Sequence, residues 1–489
     1  MSKSLSERSL SAILWVLLDK LGASVINFVV TIILARLLLP EDFGLVAMVM
    51  VFFELSSVFV ESGFSTALIR EKTISELDKS TTFIFSLIAA LVVYAILFAG
   101  APAVSVFFKQ PLLTDILRIM GLSLIIGAFS TVQNSVLIQE INFKALTQIR
   151  FVAIVVSGGA AVWLAYQGWG VWALVVRFVL NDLMNTLLLG FIARWVPSGR
   201  FSRASFRKLF GFGSKILAAA ILDKFYTQVH KLLIGKFFSA AYLGFYTQAG
   251  NFSNMVINTL FRTVNTVTYP VLAKLQDDPE QLKAGYRKIL KLTSFVIVPV
   301  LIVLAVLAEP VLLLLVGEKW LPAAPMLQWL CISGLTYHFS TVNLNMLLVL
   351  GRSDLSLLLE VVKKVNITIA ILIGLQFGIY GLIIGEVVSS YINLTVNAYY
   401  SNKLLRYSLG QQVRDILPTL LFSLAVAGVV FLMKNLPAMS GMLYLAVAAV
   451  VSSLGYLFLH FIARTEEMDL LRRMIIPKTL KLISRKQMA

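Results

Sequence analysis

Residues 36–61 read RLLLPEDFGLVAMVMVFFELSSVFVE, and 200 positions later residues 236–244 read KFFSAAYLG. Each copy sets a basic residue eight positions before a glycine, at the junction of two long apolar runs. The match extends outward on both sides. Leu18-Asp19-Lys20 falls opposite Leu222-Asp223-Lys224, and Ala101-Pro102 falls opposite Glu309-Pro310. Phe129 to Val132 (FSTV) recurs identically at Phe339 to Val342, and QGWGVWAL from Gln167 corresponds to QFGIYGL from Gln376. Ordered matches at offsets of 200 to 210, each at the same place in its apolar run, identify an internal duplication.

The surrounding composition says what is duplicated. Of 489 residues, 58% are hydrophobic and 14% charged, against roughly 25% charged in an ordinary soluble domain. Apolar runs of spanning length recur at about 12–38, 43–69, 81–108, 112–138, 149–167 and 169–192, then at 212–237, 241–272, 288–316, 323–350, 356–376 and 379–402, and finally at 413–434 and 440–463. At about 20 residues per span, the reading is an all-α polytopic membrane protein of about 14 helices. Two six-helix lobes, residues 1–195 and 211–403, flank a basic linker at 196–210. Two more helices occupy 404–463, and a basic tail occupies 464–489. Six being even, both lobes enter from the same side, so the duplication is parallel, with an axis along the membrane normal and a cleft between lobes for a substrate.

Charge fixes the orientation. The net charge is +17. Thirty-one of the 42 Lys and Arg fall on the side that carries both termini, six (Arg36, Lys109, Arg118, Lys236, Lys319, Lys434) face them, and the rest lie within spans. The positive-inside rule then places both termini in the cytoplasm. Since topology accounts for the basic excess, nucleic-acid binding is not needed to explain it. Lys3 and Arg8 precede an apolar stretch that lacks a small-residue cleavage site, which reads as an uncleaved first span. The sole cysteine, Cys331, excludes a thiolate metal cluster; no metal, cofactor or catalytic residue is expected, and no external segment is large enough for a soluble catalytic domain.

Polar side chains inside spans are costly and mark candidate sites. Span 1 aligns Lys20, Ser24, Asn27 and Thr31; span 2 aligns Glu54, Ser57 and Glu61; span 7 aligns Lys224, Gln228 and Lys231, with Asp223, Tyr226 and His230 alongside. Span 8 carries a ladder of Asn251, Asn254, Asn258, Arg262 and Asn265. Lys20, Asn27, Lys224, Gln228, Lys231, Asn258 and Arg262 are candidates for a cationic cavity that binds pyrophosphate and sugar. Glu54, Glu61 and Glu386 are candidates for ion coupling. Arg177, Asp182 and the lone His338 read as structural.

The runs ARLLLPEDFGLVAMVMVFFELSSVFVESGFSTALIREKTIS from Ala35, LGFYTQAGN from Leu243, YPVLAKLQDDPEQL from Tyr269 and VGEKWLPAAPMLQWLC from Val316 resemble the bacterial Wzx-type polysaccharide flippases, and within them the colanic and teichuronic acid exporter branch. That resemblance implies 14 helices in the bacterial cytoplasmic (inner) membrane. It also implies export of undecaprenyl-pyrophosphate-linked oligosaccharide from inner to outer leaflet, alongside polymerase and chain-length machinery. A cation- or proton-coupled multidrug antiporter of the same superfamily is the alternative, and it would present a net acidic cavity.

Overall fold

The computed structural model describes residues 22–61, 63–70, 74–193, 195–434 and 441–470. Helices make up nearly all of them, and among the described residues there is no strand. We number the helices α1 (Gly22–Leu37, from the first described residue), α2 (Pro40–Glu61), α3 (Phe64–Arg70), α4 (Glu76–Phe108), α5 (Leu113–Gln139), α6 (Phe143–Tyr166), α7 (Val171–Ala193), α8 (Arg203–Phe237) and α9 (Ala240–Ala273). They continue as α10 (Pro279–Val306), α11 (Ala308–Leu315), α12 (Ala324–Gly334), α13 (Tyr337–Val349), α14 (Ser353–Gly374), α15 (Gly378–Leu405), α16 (Leu409–Met433) and α17 (Gly441–Ile462). Nine helical stretches among the described residues are long and apolar enough to cross a bilayer, one of them formed by α14 and α15 together.

Polar caps start the helices and lipid-compatible side chains clothe them. Ser75 and Asp78 form a capping box that begins α4 five residues before its apolar run. Asp278 caps α10 just ahead of Pro279, and Ser408 with Gln411 boxes the start of α16. Ile96 of α4, Phe191 of α7, and Leu454 and Phe458 of α17 are exposed. In water that would be a liability, but in hydrocarbon it is the requirement, because only a closed backbone ladder with an apolar coat is soluble there.

Three apolar runs are broken where periodicity predicts continuity. The run 43–69 divides into α2 and α3 around Gly63, whose φ of +67° only glycine adopts readily. The run 288–316 divides at Leu307 into α10 and α11, and the run 323–350 divides at Leu335–Thr336 into α12 and α13. The linker 196–210 is half helical: Ser202 caps α8, which starts at Arg203 and runs 35 residues. At 1.5 Å per residue that is about 52 Å, well beyond the roughly 30 Å of hydrocarbon. Its first turns are held by aromatic packing, with Phe206 and Phe210 stacked on each other and Phe206 against Phe85, which stacks on Phe64.

The chain forms two compact units that divide between Thr247 and Gln248, inside α9. The first unit is built from α1 to α8 and the start of α9, with α4 on α5, α6 on α7 and α8 against α2, α3 and α4. In the second unit α10 packs on α16, and α14 packs on α15. There α16 is fastened at both ends and α17 through Tyr456. Arg287 of α10 donates twice to Asp415 of α16, at 2.7 Å each, and Lys434 pairs with Glu309 at 2.6 Å. Tyr456 of α17 donates to the Phe295 carbonyl at 2.9 Å.

Candidate functional site

The second half of α2 carries Glu54, Ser57 and Glu61 on one face, as steps of three and four dictate. In the first unit this face borders a cavity of about 680 Å³. α5 contributes Ser123, Thr131 and Asn134 to its wall, α6 contributes Arg150, α7 contributes Asp182 and Asn185, and α8 contributes Leu217, Ala220, Asp223 and Lys224. The walls meet at a tight glycine approach. A side chain on Gly63 would put Cβ 2.6 Å from the Gly213 carbonyl oxygen, so only glycine lets the α2–α3 break reach α8.

Within the cavity the hydroxyls are largely spent. Ser57 donates to the Glu54 carbonyl at 3.0 Å, Ser130 and Thr131 donate to the Gly127 carbonyl, and Thr186 donates to that of Ile126. Such back-bonding is the usual fate of Ser and Thr in apolar helices. The chemistry left to the cavity is therefore that of its ionic and amide groups. Lys224 Nζ forms an ion pair with Glu54 Oε2, both side chains partly open to the cavity. An ammonium held by a single partly solvated carboxylate is exchangeable, and a pyrophosphate oxygen is a chemically equivalent partner.

The sequence candidates separate as follows. Glu54, Glu61 and Lys224 are brought together on the cavity wall. Lys231, two turns beyond Lys224 on α8, is half-buried and lies within coulombic range of Glu54, but it is not part of the wall. Gln228 is buried, its Oε1 without a hydrogen-bond partner among the described residues. Asn27 does not reach the cavity. It accepts from Arg177 Nη2 at 3.0 Å while Thr31 accepts from Nη1 at 3.3 Å, so Arg177 clamps α1 to α7. Lys20 lies outside the described residues, as do the side chains of Asn258 and Arg262, whose backbone belongs to α9. Glu386 lies on α15 in the second unit.

Sequence reasoning missed Arg150, Asn134 and Asn185, and it read Asp182 as structural whereas Asp182 faces the cavity. A signal was there: Gly127, Thr131 and Asn134 lie on one stripe of α5, and Asp182 and Asn185 lie three apart on α7. The expectation of a cationic wall is not met in this cavity, where Glu54, Glu61, Asp182 and Asp223 face Arg150 and Lys224. Among the described residues no group of three His, Cys, Asp or Glu side chains is placed to hold a metal ion. His338 in the second unit is fully buried, its Nε2 2.8 Å from Ser294 Oγ, an interior contact as read from the sequence.

Residues 33–325 match the family described as polysaccharide biosynthesis protein, well over half of the chain. The chain belongs to that family. It is 26% identical over 400 residues to the lipopolysaccharide biosynthesis protein WzxC of Escherichia coli K12, covering 81% of each chain. It is 23% identical over 416 residues to the teichuronic acid biosynthesis protein TuaB of Bacillus subtilis 168, covering 83% of this chain and 85% of the relative. Among solved structures it resembles the lipid II flippase MurJ in an inward closed conformation. The TM-score is 0.76 at 16% identity, over 94% of this chain and all of the other, which shows a shared fold.

Proposed function

We propose that the protein is a flippase that carries undecaprenyl-pyrophosphate-linked oligosaccharide repeat units from the inner to the outer leaflet of the bacterial cytoplasmic membrane by alternating access. The observation that carries the reading is a roomy ionic cavity enclosed by helices whose outer faces are apolar. Hydrocarbon excludes charges unless they serve a pathway, and about 680 Å³ is space for a headgroup, not for a structural water. Support comes from relatives named for lipopolysaccharide and teichuronic acid biosynthesis and from the fold shared with a lipid II flippase. Lys224, released from Glu54, holds the pyrophosphate; Asn134 and Asn185 address sugar hydroxyls; the polyprenyl tail stays in lipid. Both termini are cytoplasmic, the protein transports without catalysing a covalent step, and a polymerase with its chain-length machinery receives the product.

A second reading has one observation in its favour. The excess of carboxylates over cations in the cavity is what a cation- or proton-coupled multidrug antiporter would present, and it equally suits a coupling ion in a flippase. Depleting the protein in its native host and examining extracted lipids by mass spectrometry separates the two. The flippase reading expects an undecaprenyl-pyrophosphate oligosaccharide to accumulate on the cytoplasmic leaflet. No accumulation, with sensitivity to cationic drugs raised instead, favours the antiporter.

A further inference from the structure

The cavity occupies only one end of the first unit. On α2 its wall begins at Phe53, and on α8 it ends at Lys224. Toward the other end of the same two helices the packing becomes dry and very close. Gly44 lies ten residues, about 15 Å, before Glu54 on α2. A Cβ on Gly44 would overlap the carbonyl oxygen of Ala240 and lie 2.5 Å from its carbon. A Cβ on Gly244 would overlap the carbonyl oxygen of Pro40 and lie 2.8 Å from its carbon and 3.3 Å from the Gly44 nitrogen. The two contacts are reciprocal, since Pro40 and Ala240 are the first residues of α2 and α9, and Gly44 and Gly244 sit four residues into them. Residues 200 apart in the duplication therefore exchange the same contact, as the two halves of an isologous interface do.

The layer beside this crossing is equally tight. A Cβ on Gly235, eleven residues past Lys224 on α8, would lie 2.9 Å from the Phe108 ring and 3.1 Å from Met48. Lys236 closes the edge by donating to the Phe107 carbonyl at 2.7 Å while its ammonium sits 4.1 Å from the centre of the Phe107 ring. Backbone against backbone leaves no channel for a headgroup, and it depends on the absence of a Cβ at just two positions.

We propose that the reciprocal Gly44–Ala240 and Gly244–Pro40 crossing is the seal that shuts the cavity from the outer face, and that each transport cycle parts these two backbones. The proposal rests on the transport reading and on the orientation that the basic loops imply; it adds the residues that make the seal and the reason they are glycine. Because any Cβ at either position collides with a carbonyl rather than with a mobile side chain, even alanine biases the protein toward the parted state.

The test uses the full chain with Cys331→Ala and a reporter, Ala220→Cys, in the cavity wall. A membrane-impermeant maleimide added outside intact cells should leave this protein unlabelled. Adding Gly44→Val or Gly244→Val should raise labelling from outside by at least tenfold and cut polymer export to a comparable degree. Unchanged labelling and full export in both variants at normal membrane levels would overturn the seal. Should neither valine variant insert, Leu39→Cys with Ser239→Cys joined by a flexible, reducible bis-thiosulfonate decides the matter. Export should stop on crosslinking and return on reduction; export at the full rate while crosslinked refutes the proposal. Gated labelling without accumulation of lipid-linked oligosaccharide on depletion would leave the seal standing and remove the flippase reading, so the two fail separately.

Discussion

Each unit holds a polar cluster among its apolar helices, and the two clusters are of opposite kinds. In the first, Glu54, Glu61, Asp182, Arg150 and Lys224 border open space, and the Lys224–Glu54 ion pair among them is one that a ligand can exchange. In the second, one buried cluster of neutral side chains closes on itself. Ser401 of α15 donates to Asn343 of α13, Asn343 donates to Gln412 of α16 at 3.3 Å, and Gln412 donates to the Tyr407 carbonyl at 3.2 Å, all four groups buried. Polarity in an apolar span thus has two meanings, a closed network that fixes helices and an open one that waits for a partner, and the difference lies in whether the neighbours answer the hydrogen bonds.

That contrast can be broken or sharpened by substitution. Asn343→Leu should have the largest effect, because it takes the partner from the buried Ser401 hydroxyl and the buried Gln412 Oε1 at once. A destabilisation of about 2–3 kcal/mol is expected, read as a fall of several degrees in the midpoint of detergent thermal unfolding, with export lost only as folded protein is lost. Lys224→Ala should do the reverse. Export should fall on the order of tenfold, equivalent to about 1.4 kcal/mol, while thermal stability changes by no more than about 0.5 kcal/mol because the Glu54 left behind is already partly solvated. If Lys224→Ala unfolds the protein or Asn343→Leu spares it, the division between open and closed networks is wrong. Arg287→Lys, which gives up a bidentate carboxylate for a point charge, should cost about 1 kcal/mol in the same melt and leave per-molecule export intact.

The smallest effect concerns pH. Lys291 lies 2.7 Å from Glu466 and 3.3 Å from Glu467, and its hydrogen bond holds the Glu466 carboxyl below the usual carboxylate range. A carboxyl depressed in the folded state stabilises it above the unfolded pKa, roughly 4.3, and that contribution vanishes as pH falls through the folded value. Glu466 is half exposed, so the contribution should stay under about 0.5 kcal/mol. Glu466→Gln should flatten the melting midpoint between about pH 5 and about pH 3 by that small amount, and a steeper dependence in the variant would contradict the pairing.

Much of this was legible in the residues, and what was not has identifiable causes. The apolar runs located the helices, and the spacing of Glu54, Ser57 and Glu61 placed them on the face that lines the cavity, since helical geometry alone decides that. The early start of α8 was missed because Ser202, Phe206 and Phe210 look like linker until Phe64 and Phe85 supply the surface they pack on. Arg150 and Asn185 were passed over because each is unremarkable in its own helix, and only tertiary packing brings them to the cavity wall. Asn27 looked like a cavity residue for the converse reason: nothing local reveals that Arg177, 150 residues away, claims it.

Gly44 and Gly244 were noticed only as matching letters, yet their close approach constrains how such a chain can diverge. Duplication ordinarily leaves each copy to accumulate changes under its own local demands. Here the space allowed at position 44 is set by the Ala240 carbonyl, and the space at 244 by the Pro40 carbonyl. Neither glycine can be replaced on its own terms; a change at one must be answered by a main-chain shift on the helix that faces it, so the two positions can vary only together.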